Sequence, residues 1–309
     1  MKKCFLFVCV LLVFTGCMSF DFSDDYAKNK ADDTAYLQKL FDSKAAKVVI
    51  PANPKGCPWI TDRLYLKGVK NKTIEFAPGC IIMAKAGAFH DPLDFLITIN
   101  DCKDLKLIGY GATLQMRKKD YQKAGYLKSQ WRHIIALWKS ENVAIEGLKL
   151  ASSGGDGVYI GVKSKVPSKN ITLRNLVIED NHRQGVSVIG VDGFLMEGCS
   201  VFGTDGHLPQ AGIDFEPNPD CYGFTRCVVR NCSFVFNTGS GIHIFLRNAD
   251  STTHPIDIIF ENCVSKHNAA AISIMQVKRG VKGKIIIKNC DFKGIQFINT
   301  PKSLIVTDK

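Results

Sequence analysis

A phrase recurs through the second half of this 309-residue chain at an interval of about 28 residues, and such an interval implies stacked, repeated units. One part is a small residue heading an apolar alternation: Gly157-Val158-Tyr159-Ile160, Gly185-Val186-Ser187-Val188, Gly212-Ile213-Asp214-Phe215, Gly241-Ile242-His243-Ile244 and Ala271-Ile272-Ser273-Ile274. The other is Asn or Gly before an apolar residue: Gly147-Leu148, Asn175-Leu176, Gly198-Cys199, Asn231-Cys232, Asn262-Cys263 and Asn289-Cys290. The period of two makes each unit from strands. A coil of this length with two or three short strands predicts an all-β chain, a single-stranded parallel β-helix of about eight to ten turns. Equivalent repeat positions then form columns about 4.8 Å apart, the spacing of neighbouring strands.

The columns separate core from surface. Val158/Ile160, Val186/Val188, Ile213/Phe215, Ile242/Ile244 and Ile272/Ile274 are expected inside, leaving Tyr159, Ser187, Asp214, His243 and Ser273 as an outward column. Cys199, Cys232, Cys263 and Cys290 share a position held by Leu148 and Leu176 in earlier turns, so they read as an internal ladder of small apolar residues, not as disulfides. Cys227 falls in a second inward column with Val143, Ile171, Phe194, Ile258 and Ile285. The state of Cys57, Cys80, Cys102 and Cys221 stays open, and no Cys/His spacing predicts a metal site.

The N-terminus reads as targeting rather than fold. Lys2 and Lys3 precede an apolar run from Phe5 to Phe14, too short to span a bilayer, and the run ends Phe14-Thr15-Gly16-Cys17. Small residues before a cysteine resemble a bacterial lipobox. That resemblance implies a signal peptide over 1–16, acylation of Cys17, a tether over 17–31 and a β-helix domain over 32–309. The expected location is the outer membrane or cell surface, by way of a lipid anchor. The net charge is +11, and Lys2 and Lys3 are the only charges a cleavage after Gly16 removes. A basic surface favours anionic partners or is a plain solvated face. An acidic polysaccharide is the expected partner of this exported chain, read as a monomer; nucleic acid is not expected.

From Asp32 and Asp33, Thr34 opens an amphipathic segment through Phe41, with an Asp or Thr as N-cap, suited to cover one end of the stack. Lys47-Val48-Val49-Ile50-Pro51, Thr73-Ile74-Glu75-Phe76-Ala77-Pro78-Gly79 and Leu105-Lys106-Leu107-Ile108-Gly109-Tyr110-Gly111 read as early turns. This acidic start, the strand closed by Pro51, and the two Gly-terminated segments resemble right-handed parallel β-helix proteins of the pectate lyase and polygalacturonase superfamily. The resemblance covers most of residues 32 to 300. It implies a right-handed helix and a carbohydrate-active class. The family's catalytic signatures are mostly missing: Gly155-Asp156-Gly157 is the nearest stretch to the Asn-Thr-Asp of polygalacturonases, and the lyase Arg–Pro arrangement is absent. Tyr159, Asp214 and His243 supply the residue types of alginate epimerases without their motif. No cofactor is expected, with Ca2+ the one ion the resemblance leaves open.

The outward column carries the candidate chemistry. Asp214 and His243 fall on successive turns, where a carboxylate can fix a histidine tautomer or raise its pKa. Glu216 lies two residues beyond Asp214, roughly 6.5 to 7 Å along the strand, near the carboxyl separation of inverting glycosidases. For hydrolysis, Asp214 and Glu216 are the expected acid and base with His243 tuning Asp214. For β-elimination, Tyr159 or His243 takes the proton and Arg183 or Arg247 neutralises the uronate. Asp156, His182, Arg183, Gln184, His207, Gln210 and Arg247 flank the column as candidate substrate-binding residues. Residues 116–133 interrupt the rhythm with mixed basic and aromatic side chains, and Arg117, Lys118, Tyr126 and Trp131 are expected to bind glycan there while adding little stability. The competing readings are an ordinary solvated loop and, for the whole chain, a non-catalytic glycan-binding or surface scaffold protein.

Overall fold

Three parallel sheets, of ten, nine and nine strands, run the length of a right-handed β-helix, and each turn of chain contributes one strand to each sheet. The computed structural model describes residues 32–163, 165–219 and 222–307. The expected signal segment, Cys17, the tether and Cys221 lie outside the described residues. The third sheet positions the candidate site. Its strands include Ile135–Trp138, Asp156–Ile160, Gln184–Val188, Ala211–Phe215, Ser240–Phe245 and Ala270–Met275. Tyr159 pairs with Ser187, Ser187 with Asp214, Asp214 with His243, and His243 with Ser273, so the expected column exists in register. Upstream it continues through Ala136 and Thr98.

Both inward columns are packed as the alternation dictates. Val143, Ile171, Phe194, Cys227, Ile258 and Ile285 are paired in sequence along the first sheet and are all buried. Leu148, Leu176, Cys199, Cys232 and Cys263 are buried one above another, and Cys290 closes the column half-buried. All four ladder cysteines are free thiols, as are Cys80 and Cys102. The residue before each ladder position has a physical explanation. Gly147, Asn175, Gly198, Asn231, Asn262 and Asn289 all have positive φ, between 46° and 71°. Each turn passes through the left-handed region here, which only Gly and Asn adopt cheaply. The column is also stitched by side chains, with Asn289 Nδ2 donating to Asn262 Oδ1 at 2.6 Å.

The helix Thr34–Phe41 buries Leu37 and Phe41 against the first turns. Its N-cap position is Asp33, but the Asp33 carboxylate accepts from the Ile60 amide instead of capping, and Asp32 accepts from Thr34. No helix among the described residues is long and apolar enough to cross a membrane.

Candidate functional site

The outward column converges with two neighbouring positions into one polar network. Three residues upstream of the column stand His133, Asp156 and Gln184; just before Gln184 in the turn stands Arg183; two residues downstream of the column stand Trp138 and Glu216. Asp156, Gln184, Ser187 and Asp214 are completely buried, although they lie on the outer face of the sheet. Neighbouring side chains cover them.

The hydrogen bonds converge on Asp214. His243 Nδ1 lies 2.9 Å from Asp214 Oδ1. Asp214 Oδ2 accepts from Gln184 Nε2. The Gln184 carbonyl oxygen and Asp156 Oδ2, at 2.7 Å, both face the Ser187 hydroxyl. One hydroxyl proton serves one acceptor, so a protonated Asp156 donating to Ser187 completes the chain. The surroundings of Asp156 agree. Burial pushes its pKa to about 7, against the opposing charge of Arg183. Its Oδ2 lies 3.3 Å from His133 Nδ1, which already accepts the Asp156 backbone N–H at 2.9 Å. Burial, helped by Arg183, holds the His133 pKa well below its ordinary value, so that ring is neutral. A neutral carboxyl relieves two facing lone pairs.

Above this buried layer sit the accessible groups. The Arg183 guanidinium bridges Asp156, at 3.6 Å, and Glu216, at 3.2 Å. Glu216 is about a third exposed, at 29%, and His243 is 13% exposed. Burial raises the Glu216 pKa, and the close Asp214 carboxylate adds to the shift. At His243 burial pushes the pKa down, but the Asp214 hydrogen bond and the Asp214 and Glu216 charges outweigh it, and the net shift is upward. Tyr159 stacks on His133 at 4.7 Å between ring centroids, and Trp138 tilts against Tyr159 at 5.8 Å. Residue 161 is glycine for a reason: a Cβ there would lie 2.2 Å from Trp138 Nε1. Beyond Trp138 the same face carries a groove of about 470 Å3 lined by Tyr65, Lys67, Thr98, Asn100 and Lys163.

Several expectations change. Asp214 is wholly enclosed with both oxygens engaged, so it cannot meet a substrate and serve as the acid or base of an Asp214/Glu216 pair. Asp156 and Gln184, expected to bind substrate, lie in the buried layer. Arg117 Nε donates to the Ala84 carbonyl at 2.8 Å and pairs with Asp120, while Lys118 is 11% exposed and held by Asp180 and Asp205. These two tie the 116–133 segment to the stack instead of facing glycan. The fully buried Arg132 adds bonds to the carbonyls of Phe89, His90 and Leu127, so the segment is a docked element and not a loose loop. Tyr126 stacks on His90 at 4.7 Å, and Trp131 is 42% exposed. Both, with His182 and His207, line a separate cavity of about 480 Å3. Gln210 is half-buried in the turn before Asp214, its carbonyl accepting from Gly239, and Arg247 is exposed after the His243 strand.

Two participants were not read from sequence. Trp138 ends a strand, Ile135–Trp138, and His133 stands two residues before it, in a unit that lacks the leading glycine of the others. Its Ile135 and Leu137 are in register with Val158 and Ile160, and that alternation was the available signal. Among the described residues no group of three or more His, Cys, Asp or Glu side chains has metal-ligating geometry.

Residues 127–256 match the family model of the right-handed β-helix region. A 97-residue stretch is 30% identical to the SPbeta prophage-derived uncharacterized protein YorA of Bacillus subtilis, covering 28% of this chain and 17% of that one. The fold is similar to a tailspike protein of the Acinetobacter baumannii bacteriophage Fri1, a capsular polysaccharide depolymerase, with TM-score 0.53, 14% identity and coverage of 88% of this chain and 49% of the tailspike. It is also similar to the polygalacturonase of Erwinia carotovora ssp. carotovora, with TM-score 0.47, 13% identity and coverage of 91% and 95%. The chain thus spans about half of the tailspike and a small part of the prophage protein. The expected right-handed parallel β-helix holds in the fold.

Proposed function

We propose that this right-handed parallel β-helix cleaves an acidic polysaccharide laid across the outer face of its third sheet, with His243 and Glu216 as the proton-transferring pair. The observation that carries the reading is the Asp214-held His243 beside the partly exposed Glu216, on a face that also offers Trp138 and Tyr159. Asp214 accepts from Nδ1–H, which fixes the tautomer and leaves Nε2 for substrate. The raised His243 pKa favours imidazolium, an acid for the leaving oxygen. Glu216, as carboxylate, is the base. Asp214 is a positioning residue. Arg183 keeps Glu216 oriented, and the aromatic pair offers flat surface to sugar rings. A capsular polysaccharide depolymerase is among the chains that share the fold, which supports this substrate class.

The test is turnover on a panel of acidic polysaccharides by the purified chain, following reducing ends and ultraviolet absorbance together. Reducing ends without an unsaturated product indicate hydrolysis; both together indicate elimination, with His243 or Tyr159 as the base. No turnover on any member, with saturable binding retained, rejects the enzyme reading. It would favour the non-catalytic glycan-binding reading, to which the closed buried layer also belongs. Export and lipid anchoring at Cys17 are part of the same proposal and rest on the residues before it. Labelling with a radioactive fatty acid, abolished in Cys17→Ser, checks them.

A further inference from the structure

Three carboxyls, Asp156, Asp214 and Glu216, stand beside two groups able to carry positive charge, Arg183 and His243, while His133 is neutral. Pairing Arg183 with Glu216 and His243 with Asp214 uses both cations. Asp156 is left over. Arg183 reaches it only at 3.6 Å, and the guanidinium's hydrogen bond goes to Glu216 at 3.2 Å. Asp156 Oδ1 is buried with no hydrogen-bond partner among the described residues. An unpaired carboxylate oxygen in such a place costs far more than the carbonyl oxygen of a neutral acid. The charge count and the unpartnered oxygen both place a proton on Asp156.

That proton sets the direction of every bond between Asp156 and His243. His133 Nδ1 is occupied by the Asp156 backbone N–H, so the carboxyl proton goes to the Ser187 oxygen, 2.7 Å away. Ser187 gives its own proton to the Gln184 carbonyl, the Gln184 amide donates to Asp214 Oδ2, and Asp214 Oδ1 receives His243 Nδ1–H. An ionised Asp156 would take the Ser187 proton for itself. Gln184 would then have to turn its amide toward Ser187, and its carbonyl would face Asp214 Oδ2. Two acceptors meet there only with a proton between them, and that proton would neutralise the carboxylate that holds His243. Asp156, Gln184, Ser187 and Asp214 are fully enclosed, so bulk water does not supply the missing donor.

We infer that Asp156 is a positioning residue for the reacting histidine: it keeps the one carboxyl proton of the buried layer, so that Ser187 and Gln184 point their donors toward Asp214, and Asp214 remains the carboxylate that orients His243. The inference rests on the proposed roles of His243 and Glu216, and it adds a residue three turns of chain away from the histidine it serves. The titratable and charged groups facing Asp156 are His133, Arg183, Asp214 and Glu216. Burial outweighs the opposing pull of Arg183 and Ser187, Asp214 and Glu216 add to it, and the Asp156 pKa rises to about 7. The arrangement therefore holds at acidic pH and is lost as pH rises through about 7.

The test reads the substrate-free protein by NMR, with carbon-labelled aspartate and nitrogen-labelled histidine. In the wild type the His243 ring resonances should shift twice with pH, once for their own proton and once in step with the Asp156 carboxyl carbon. Ser187→Ala keeps every charge and cuts the chain, so the second shift should disappear while Asp156 still titrates. Asp156→Asn keeps a permanent donor toward Ser187. His243 should then show one step only, and the falling limb of the pH–rate profile should move to higher pH by about half a unit or more. Loss of the Asp156 charge alone would move that limb down, and a side chain that only props the fold would not move it. Asp156→Asn is close to isosteric, so it keeps the test open if Ser187→Ala does not fold. An Asp156 carboxyl that titrates at its ordinary 3.8, a second His243 step that survives Ser187→Ala, or a falling limb that Asp156→Asn leaves in place or moves to lower pH overturns the inference. The expected resonances in a wild-type chain that cleaves no polysaccharide keep the hydrogen-bond chain and reject the cleavage reading.

Discussion

Asp214 and Asp156 are both buried carboxyls on one sheet face, and their neighbours give them different work. Asp214 holds His243, while Asp156 ends the hydrogen-bond chain beside a neutral His133. The rate of cleavage should rise with pH as Glu216 ionises, above the ordinary glutamate range, and fall as His243 loses its proton, above its ordinary 6.5. Asp214→Asn removes the charge that favours imidazolium, so the falling limb should move to lower pH and the maximal rate drop by about 10- to 1,000-fold. A pH–rate profile with an unmoved falling limb would refute the dyad. For Asp156 the folded pKa of about 7 exceeds the unfolded 3.8, so the folded chain binds the proton more tightly. Stability from this group is therefore full below about 3.8 and declines as pH rises to about 7. Asp156→Asn should flatten the dependence of melting temperature on pH across that window. An unchanged slope would show that the carboxyl is ionised throughout.

At the scale of elements, the aromatic platform depends on a glycine and the loop depends on its charges. Gly161→Ala places a Cβ 2.2 Å from Trp138 Nε1 and 2.6 Å from Tyr159 Cε1, so the two rings must move. Because those rings are partly exposed, the expected loss is in glycan affinity, about tenfold, with little change in melting temperature. Equal affinity in a titration against the wild type would remove the platform from the site. The 116–133 segment carries the opposite expectation from the one its composition suggests. Lys118→Ala leaves Asp180 and Asp205 without their shared cation, and the cost should be on the order of 1 kcal/mol of stability, since both acids are exposed. Affinity for acidic glycan should change less than stability does. Denaturant unfolding read beside a binding titration distinguishes the two, because the basic residues were expected to bind and not to brace.

Across the molecule, the stack makes a continuous apolar interior of side chains contributed by every turn. Burial raises the pKa of the Cys80 thiol to about 12, and the Cys227 thiol is pushed well above its ordinary range. Cys199, Cys232 and Cys263 are enclosed in the same interior. In native buffer these thiols should resist an alkylating reagent and react only on unfolding. Mass spectrometry of partly alkylated native protein checks this; early modification of the ladder would mean that the turns open independently.

The repeat determined much of this molecule without help from three dimensions. A left-handed backbone position every turn demands Asn or Gly, and an inward slot accepts Leu or Cys, so Asn262-Cys263 and Gly147-Leu148 are two spellings of one constraint. The period-two alternation likewise put Tyr159, Ser187, Asp214 and His243 on one face, because a one-residue slip would bury the wrong set. Depth is what the repeat could not express. Outward on a strand means away from the core, yet Asp214 and Asp156 are enclosed because Arg183, Glu216 and the His133–Tyr159 stack cover them. Three of those covering groups, Arg183, Glu216 and His133, lie outside the strands, where side-chain directions follow no period. The same holds for Lys118 and Arg132, whose partners lie on other turns. Sequence order set the register and the columns; only packing between turns decided which charges meet solvent and which hold the fold.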